Sequence, residues 1–141
     1  IGISPGSAWA LSSKSNTVLH LFHKASPAGG LNLLSGTGAP GTLAVLQQIV
    51  NGIIQGTTNP RICGKQQNAT IPNGPPGTFV IICYTYVPQN GQAIQLVDVV
   101  GAGTKNGVAT ALDAFSTPQQ IQSFANTALS AMRTVKWKLL K

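Results

Sequence analysis

The chain has 141 residues, 43% of them hydrophobic, and carries nine Lys or Arg against two acids, Asp98 and Asp113, for a net charge of +7. A chain of this length supports one core, and no uninterrupted apolar run approaches the roughly 20 residues of a bilayer-spanning helix, so a transmembrane helix is excluded. Only 8% of residues are charged and none is Glu. Ser, Thr, Asn, Gln and Gly must therefore cover the surface, as they do in secreted and wall-associated proteins rather than in cytosolic domains.

In chain order, Ser7–Leu11 and Thr17–Lys24 flank the polar turn Ser12–Asn16 and predict a hairpin. The Pro-, Gly- and Ser-rich stretch Ser26–Gly38 predicts a loop. Pro40 suits a helix start, and Leu43, Leu46, Val50, Ile53 and Ile54 recur at helical spacing before Gly56, which predicts a helix over Thr42–Gln55. Thr57–Gly77 holds four prolines and reads as an extended surface loop. Thr78–Val87 and Ala93–Val100, rich in β-branched and aromatic residues, predict a hairpin across Asn90-Gly91. Gly101–Gly107 reads as a flexible link, and Val108, Leu112 and Phe115 as a short helical segment. Thr117-Pro118-Gln119-Gln120 combines an N-cap, a first-turn Pro and a capping-box Gln, so a helix should begin at Pro118 and turn Ile121, Phe124, Ala128 and Leu129 toward the core. Val135, Trp137 and Leu139 alternate with Lys136, Lys138 and Leu140 in a half-buried strand pattern. This order predicts an α+β fold of the ferredoxin-like split βαβ kind, an antiparallel sheet with both helices on one face.

Cys63 and Cys83 are the only cysteines, and with an extracellular composition they predict a disulfide closing a 20-residue loop. The sequon Asn68-Ala69-Thr70 inside that loop marks Asn68 as a glycosylation acceptor in a eukaryotic secretory pathway. The start at Ile1 suits a mature form, and residues 1–141 read as a single secreted domain.

By its element order over Thr17–Lys141, its disulfide-bearing hairpin at Cys83, its basic charge and its start at Ile1, the chain resembles the killer-toxin-like secreted fungal proteins and related effectors. The resemblance implies a secreted toxin or effector acting on a competing or host cell, with no catalytic residues to carry over.

The residues themselves offer no catalytic constellation. Paired-carboxylate chemistry needs two positioned acids, whereas Asp98 reads as an outward strand position and Asp113 as a solvated residue near a helix end. His20 and His23 stand three apart on a strand and point to opposite faces, so they do not share a metal. There is no phosphate loop and no cofactor motif, and Ser12 and Ser13 have no Gly-x-Ser-x-Gly context or triad partners around them. With 6% aromatic residues, stacking platforms for nucleic acid are sparse. The charge is the remaining feature: Arg133, Lys136, Lys138 and Lys141 fall in the last nine positions and predict a basic face for an anionic cell surface or a membrane protein of a target cell. A guard on an exposed strand edge explains the same lysines equally well. The expected function is that of a non-catalytic secreted toxin-like or effector protein; the alternative is a secreted cell-wall or carbohydrate-binding structural protein.

Overall fold

The structure is a computed structural model that describes residues 1–137, with the side chains of residues 26–28 left aside. Its centre is one antiparallel sheet of seven strands: β1 (Trp9–Lys14), β2 (Val18–His23), β3 (Ser26–Thr37), β4 (Thr58–Thr70), β5 (Pro76–Tyr86), β6 (Ile94–Lys105) and β7 (Val108–Ser116). The spatial order is β1-β2-β3-β7-β6-β5-β4. Two meanders, β1–β3 and β4–β7, are thus joined side by side through β3 and β7, with α1 (Thr42–Gln55) crossing between them and α2 (Ile121–Met132) following β7.

Side chains alternate across a strand, so each strand feeds two cores. Val80, Ile82, Leu96, Val100 and Ala111 meet Val45, Leu46 and Val50 of α1. Leu19, Leu21, Leu31, Leu33, Leu112 and Ala114 meet Phe124, Ala128 and Met132 of α2, with Trp9 beside them. On β7, Ala111 belongs to the first core while Leu112 and Ala114 belong to the second, so the helices lie on opposite faces. The expectation of a split βαβ sheet with both helices on one face is corrected to a larger sheet covered on both sides. The α+β, antiparallel character holds.

The α1 boundaries agree with the periodicity. Four segments read as loop, link or helix are strands, for physical reasons. Ser26–Gly38 is β3, at the middle of the sheet; its glycines seat aromatic rings, since a Cβ on Gly29 would lie 2.6 Å from the Phe124 ring and one on Gly30 2.3 Å from Phe115. Most of Gly101–Gly107 belongs to β6, where Gly101 lies under Phe79, and the true connection is Asn106-Gly107, both at positive φ, the two-residue hairpin turn that pairs Lys105 with Val108. Val108–Phe115 is β7 rather than helix. Thr58–Thr70 is an exposed edge strand whose three register shifts accommodate its irregular sequence.

The second helix begins at Ile121, one turn later than expected, after Thr117 O accepts the amides of Gln120 and Ile121. Phe124 and Ala128 face the sheet as expected, whereas Leu129 is 46% exposed. Of the expected terminal strand, the described part makes a single bridge, Lys136 with Gly2, and Trp137 donates from Nε1 to Pro72 O at 2.8 Å. Lys138 and the residues after it lie outside the described residues.

Candidate functional site

The chain's two acids, placed at the surface by sequence reasoning, are buried side by side. On the pairing of β6 with β7, Asp98 stands opposite Phe115 and Asp113 opposite Val100, which makes the acids diagonal neighbours on the α1 face. They are 1% and 6% exposed. The reading of Asp98 as outward and Asp113 as a solvated helix residue is corrected: both sit on central strands. Sequence held the signal, because Leu96-Val97-Asp98-Val99-Val100 and Ala111-Leu112-Asp113-Ala114-Phe115 are apolar on both sides of the acid at positions one and two away. A strand apolar on both faces buries whatever lies in its middle.

A polar chain runs from this pair across five strands. Tyr84 Oη on β5 donates to Asp98 Oδ2 at 3.1 Å, the two carboxyls hydrogen-bond to each other, Asn32 Nδ2 on β3 donates to Asp113 Oδ2 at 3.4 Å, and His20 Nδ1 on β2 bonds Asn32 Oδ1. A carboxyl–carboxyl bond requires a proton between them. Burial first, and the Asp113 charge second, push Asp98 up to about 9. Burial also raises Asp113, but its bonds from Asp98 and Asn32 and the nearby His20 favour its charged form. Asp98 therefore keeps the proton at neutral pH. The Tyr84 hydroxyl is pushed far up by burial and by Asp98. Oδ1 of Asp98 meets no N–H or hydroxyl donor.

The pair opens into a cavity of about 460 Å³ between the C-terminal turn of α1 and the sheet, walled by Tyr84, Tyr86, Leu96 and Phe115. Glycosidase carboxyls stand roughly 5 to 9.5 Å apart, so a hydrogen-bonded pair lacks that geometry. His20 and His23 do point to opposite faces: His23 packs 5.0 Å from Trp9 and 6.3 Å from Phe124 in the other core.

On the opposite face, α2 leaves part of the sheet uncovered. A groove of about 410 Å³ runs there, floored by Phe79, Ile81 and Val99 and walled by Ala125, Ala128 and Leu129. Its lining is mostly apolar, with Gln67, Thr70 and Asn126 as the polar exceptions, and its volume is within the size range of small-ligand sites.

Two residues of the predicted basic face fall among the described residues. Arg133 and Lys136 are exposed near the end of α2, while Lys138 and Lys141 lie outside the described residues. Lys14, Lys24, Arg61, Lys65 and Lys105 are exposed as well. Since both acids are buried, no surface side chain carries negative charge, and the positive field extends well beyond the terminal segment.

Cys63 and Cys83 form the expected disulfide, tying edge strand β4 to β5 with Cα atoms 5.8 Å apart. Asn68, on the same edge, is exposed and its Oδ1 accepts from Thr78 Oγ1 at 3.2 Å. Among the described residues no helix is long and apolar enough to cross a membrane.

No protein-family model matches the sequence, and no curated protein sequence matches it. Solved structures do resemble the fold. A Pseudomonas aeruginosa protein of unknown function superposes with a TM-score of 0.56 at 9% identity, over 89% of this chain and 85% of that one. PsbP of the cyanobacterium Synechocystis gives 0.54 at 11%, over 88% and 81%. LpqN, involved in cell envelope biogenesis of Mycobacterium tuberculosis, gives 0.53 at 15%, over 94% and 80%. At such identities the likeness establishes a shared α+β architecture. The disulfide belongs to an oxidising compartment, extracellular or periplasmic.

Proposed function

We propose that the protein is a non-catalytic, secreted or envelope-facing binding protein that holds a single-chain anionic lipid, its tail in the groove beside α2 and its headgroup drawn by the positive surface. The observation that carries this reading is the juxtaposition of an apolar groove with a surface that has lost every negative side chain to the opposite core. An apolar slot alone accepts any hydrocarbon; the surrounding charge selects an acid over a neutral chain. The same field would carry the protein to the anionic cell surface on which such amphiphiles occur. Attraction of this kind is screened over about 8 Å at physiological ionic strength, so affinity should fall as salt rises.

The test is titration of the disulfide-bonded protein with a fluorescent long-chain fatty acid and with the corresponding alcohol. The acid should bind at least about tenfold more tightly at low salt, a difference of about 1.4 kcal/mol. Leu129→Glu, at an exposed groove position, should weaken it by a similar factor while leaving the fold intact. Equal affinity for acid and alcohol, or no binding of either, would overturn the proposal.

A further inference from the structure

The cavity under α1 has the chemistry of a receptor for a small organic cation, and we propose that it binds a free protonated amine or amidine, whose N–H groups bond the Asp98 and Asp113 carboxyls between aromatic walls. This site lies on the other face of the sheet from the lipid groove and is independent of it.

Four observations converge. Both carboxyls of the chain line the cavity, and both are almost wholly buried. Once their shared proton is gone, two adjacent buried carboxylates are left, and the N–H groups of a cation offset both their repulsion and their desolvation. The cavity roof is the last turn of α1, at Ile53 and Gly56, where the helix presents the negative end of its dipole. The walls include Tyr86 and Phe115, and aromatic faces attract cations. Finally, Gly52, inside the helix, lines the cavity, and a Cβ there would meet nothing within 4 Å. Glycine at that position weakens the helix and answers no steric demand, but it keeps side-chain bulk out of the cavity lining.

The bound cation takes the place of the proton that the two carboxyls share, so each binding event releases that proton to solvent. The groups facing the pair are Tyr84 from β5, which stays neutral, and His20 from β2, acting through Asn32 on β3; α1 contributes no charged residue. Affinity should therefore rise with pH toward the Asp98 value. A probe that keeps its charge throughout this range is needed.

Benzamidinium serves as that probe and benzyl alcohol as its neutral counterpart, each titrated into the intact protein by calorimetry in two buffers of different ionisation enthalpy. Benzamidinium should bind at millimolar concentration or tighter with proton release, and should shift the ring resonances of Tyr84 and Phe115; benzyl alcohol should do neither. Asp98→Asn should reduce affinity at least about tenfold. Because all but one of these measurements use the unaltered chain, they stand whether or not the variant folds. Absence of binding, binding without proton release, or undiminished binding by a folded Asp98→Asn protein would overturn the proposal. Fatty-acid binding in the groove is read separately and does not depend on the outcome.

Discussion

Asp98→Asn should make the protein more stable above neutral pH, although it replaces the most buried acid in the molecule. The unfolded chain gives up the Asp98 proton near the ordinary carboxylate value of about 3.9, whereas the folded chain holds it up to about 9. A group whose folded pKa lies above its unfolded one stabilises the fold while both states are protonated, and that contribution is lost as pH rises toward the folded value. Between those limits the native state binds one more proton than the unfolded state, so stability falls by about 1.4 kcal/mol per pH unit. From about pH 7 to about pH 8.5 the wild-type protein should lose about 2 kcal/mol, which for a domain of this size is roughly 5–10 °C in midpoint. Asparagine needs no shared proton: its carbonyl still accepts from Tyr84 and its amide donates to Asp113, so the variant should show a much flatter profile. The only other side-chain acid is Asp113, the partner in the pair. The Ile1 amine, lowered by burial and then by Lys14, titrates in both proteins and cancels in the difference. The assay is denaturant unfolding at each pH. Parallel wild-type and variant profiles would refute the shared-proton account.

Phe124 is 3% exposed, lies over Gly29 and sits 5.7 Å from Trp9, so Phe124→Ala should cost about 3–5 kcal/mol in urea unfolding; a loss below about 1 kcal/mol would place its ring outside the core. Gly52→Ala should raise stability by up to about 1 kcal/mol, since the added methyl meets open space and alanine favours the helix; a lower melting temperature would show that the glycine answers a packing demand.

The parts of the fold that sequence made legible are those whose signal is local. Leu46 and Val50 repeat at helical spacing, and both are buried in α1. Cys63 and Cys83 had no other partners. The strands that were missed are those in which glycine and proline were taken as punctuation. Gly29, Gly30 and Gly101 are small because Phe124, Phe115 and Phe79 lie over them, and a ring that arrives from a distant segment leaves no mark in the sequence around the glycine. The same reading hid Asn106-Gly107, a hairpin turn signal placed inside a supposed linker. Val108, Leu112 and Phe115 fit a helical stripe, but β7 lies between β3 and β6 and is covered on both faces, so its apolar residues need follow no period at all.

The acids show where local reading stops and topology takes over. Each lies in an apolar run, which is enough to predict burial; that they would be neighbours depends on β6 and β7 pairing with Val100 opposite Asp113, a register set by the two-residue turn at Asn106-Gly107. The consequence reaches beyond the pair. A surface Lys in most proteins has acids nearby to temper its field, and here the only two are spent in one interior cavity. One act of burial thus creates both electrical features of the molecule, an outer surface without negative side chains and an inner cavity with all of them. The sheet separates the two, with the apolar groove on the α2 side and the carboxyls on the α1 side. Under the two proposals a ligand would be sorted by its charge as well as by its shape: the positive outer surface would draw an anion with a hydrocarbon tail to the groove, and the carboxyls would hold an aromatic cation in the cavity.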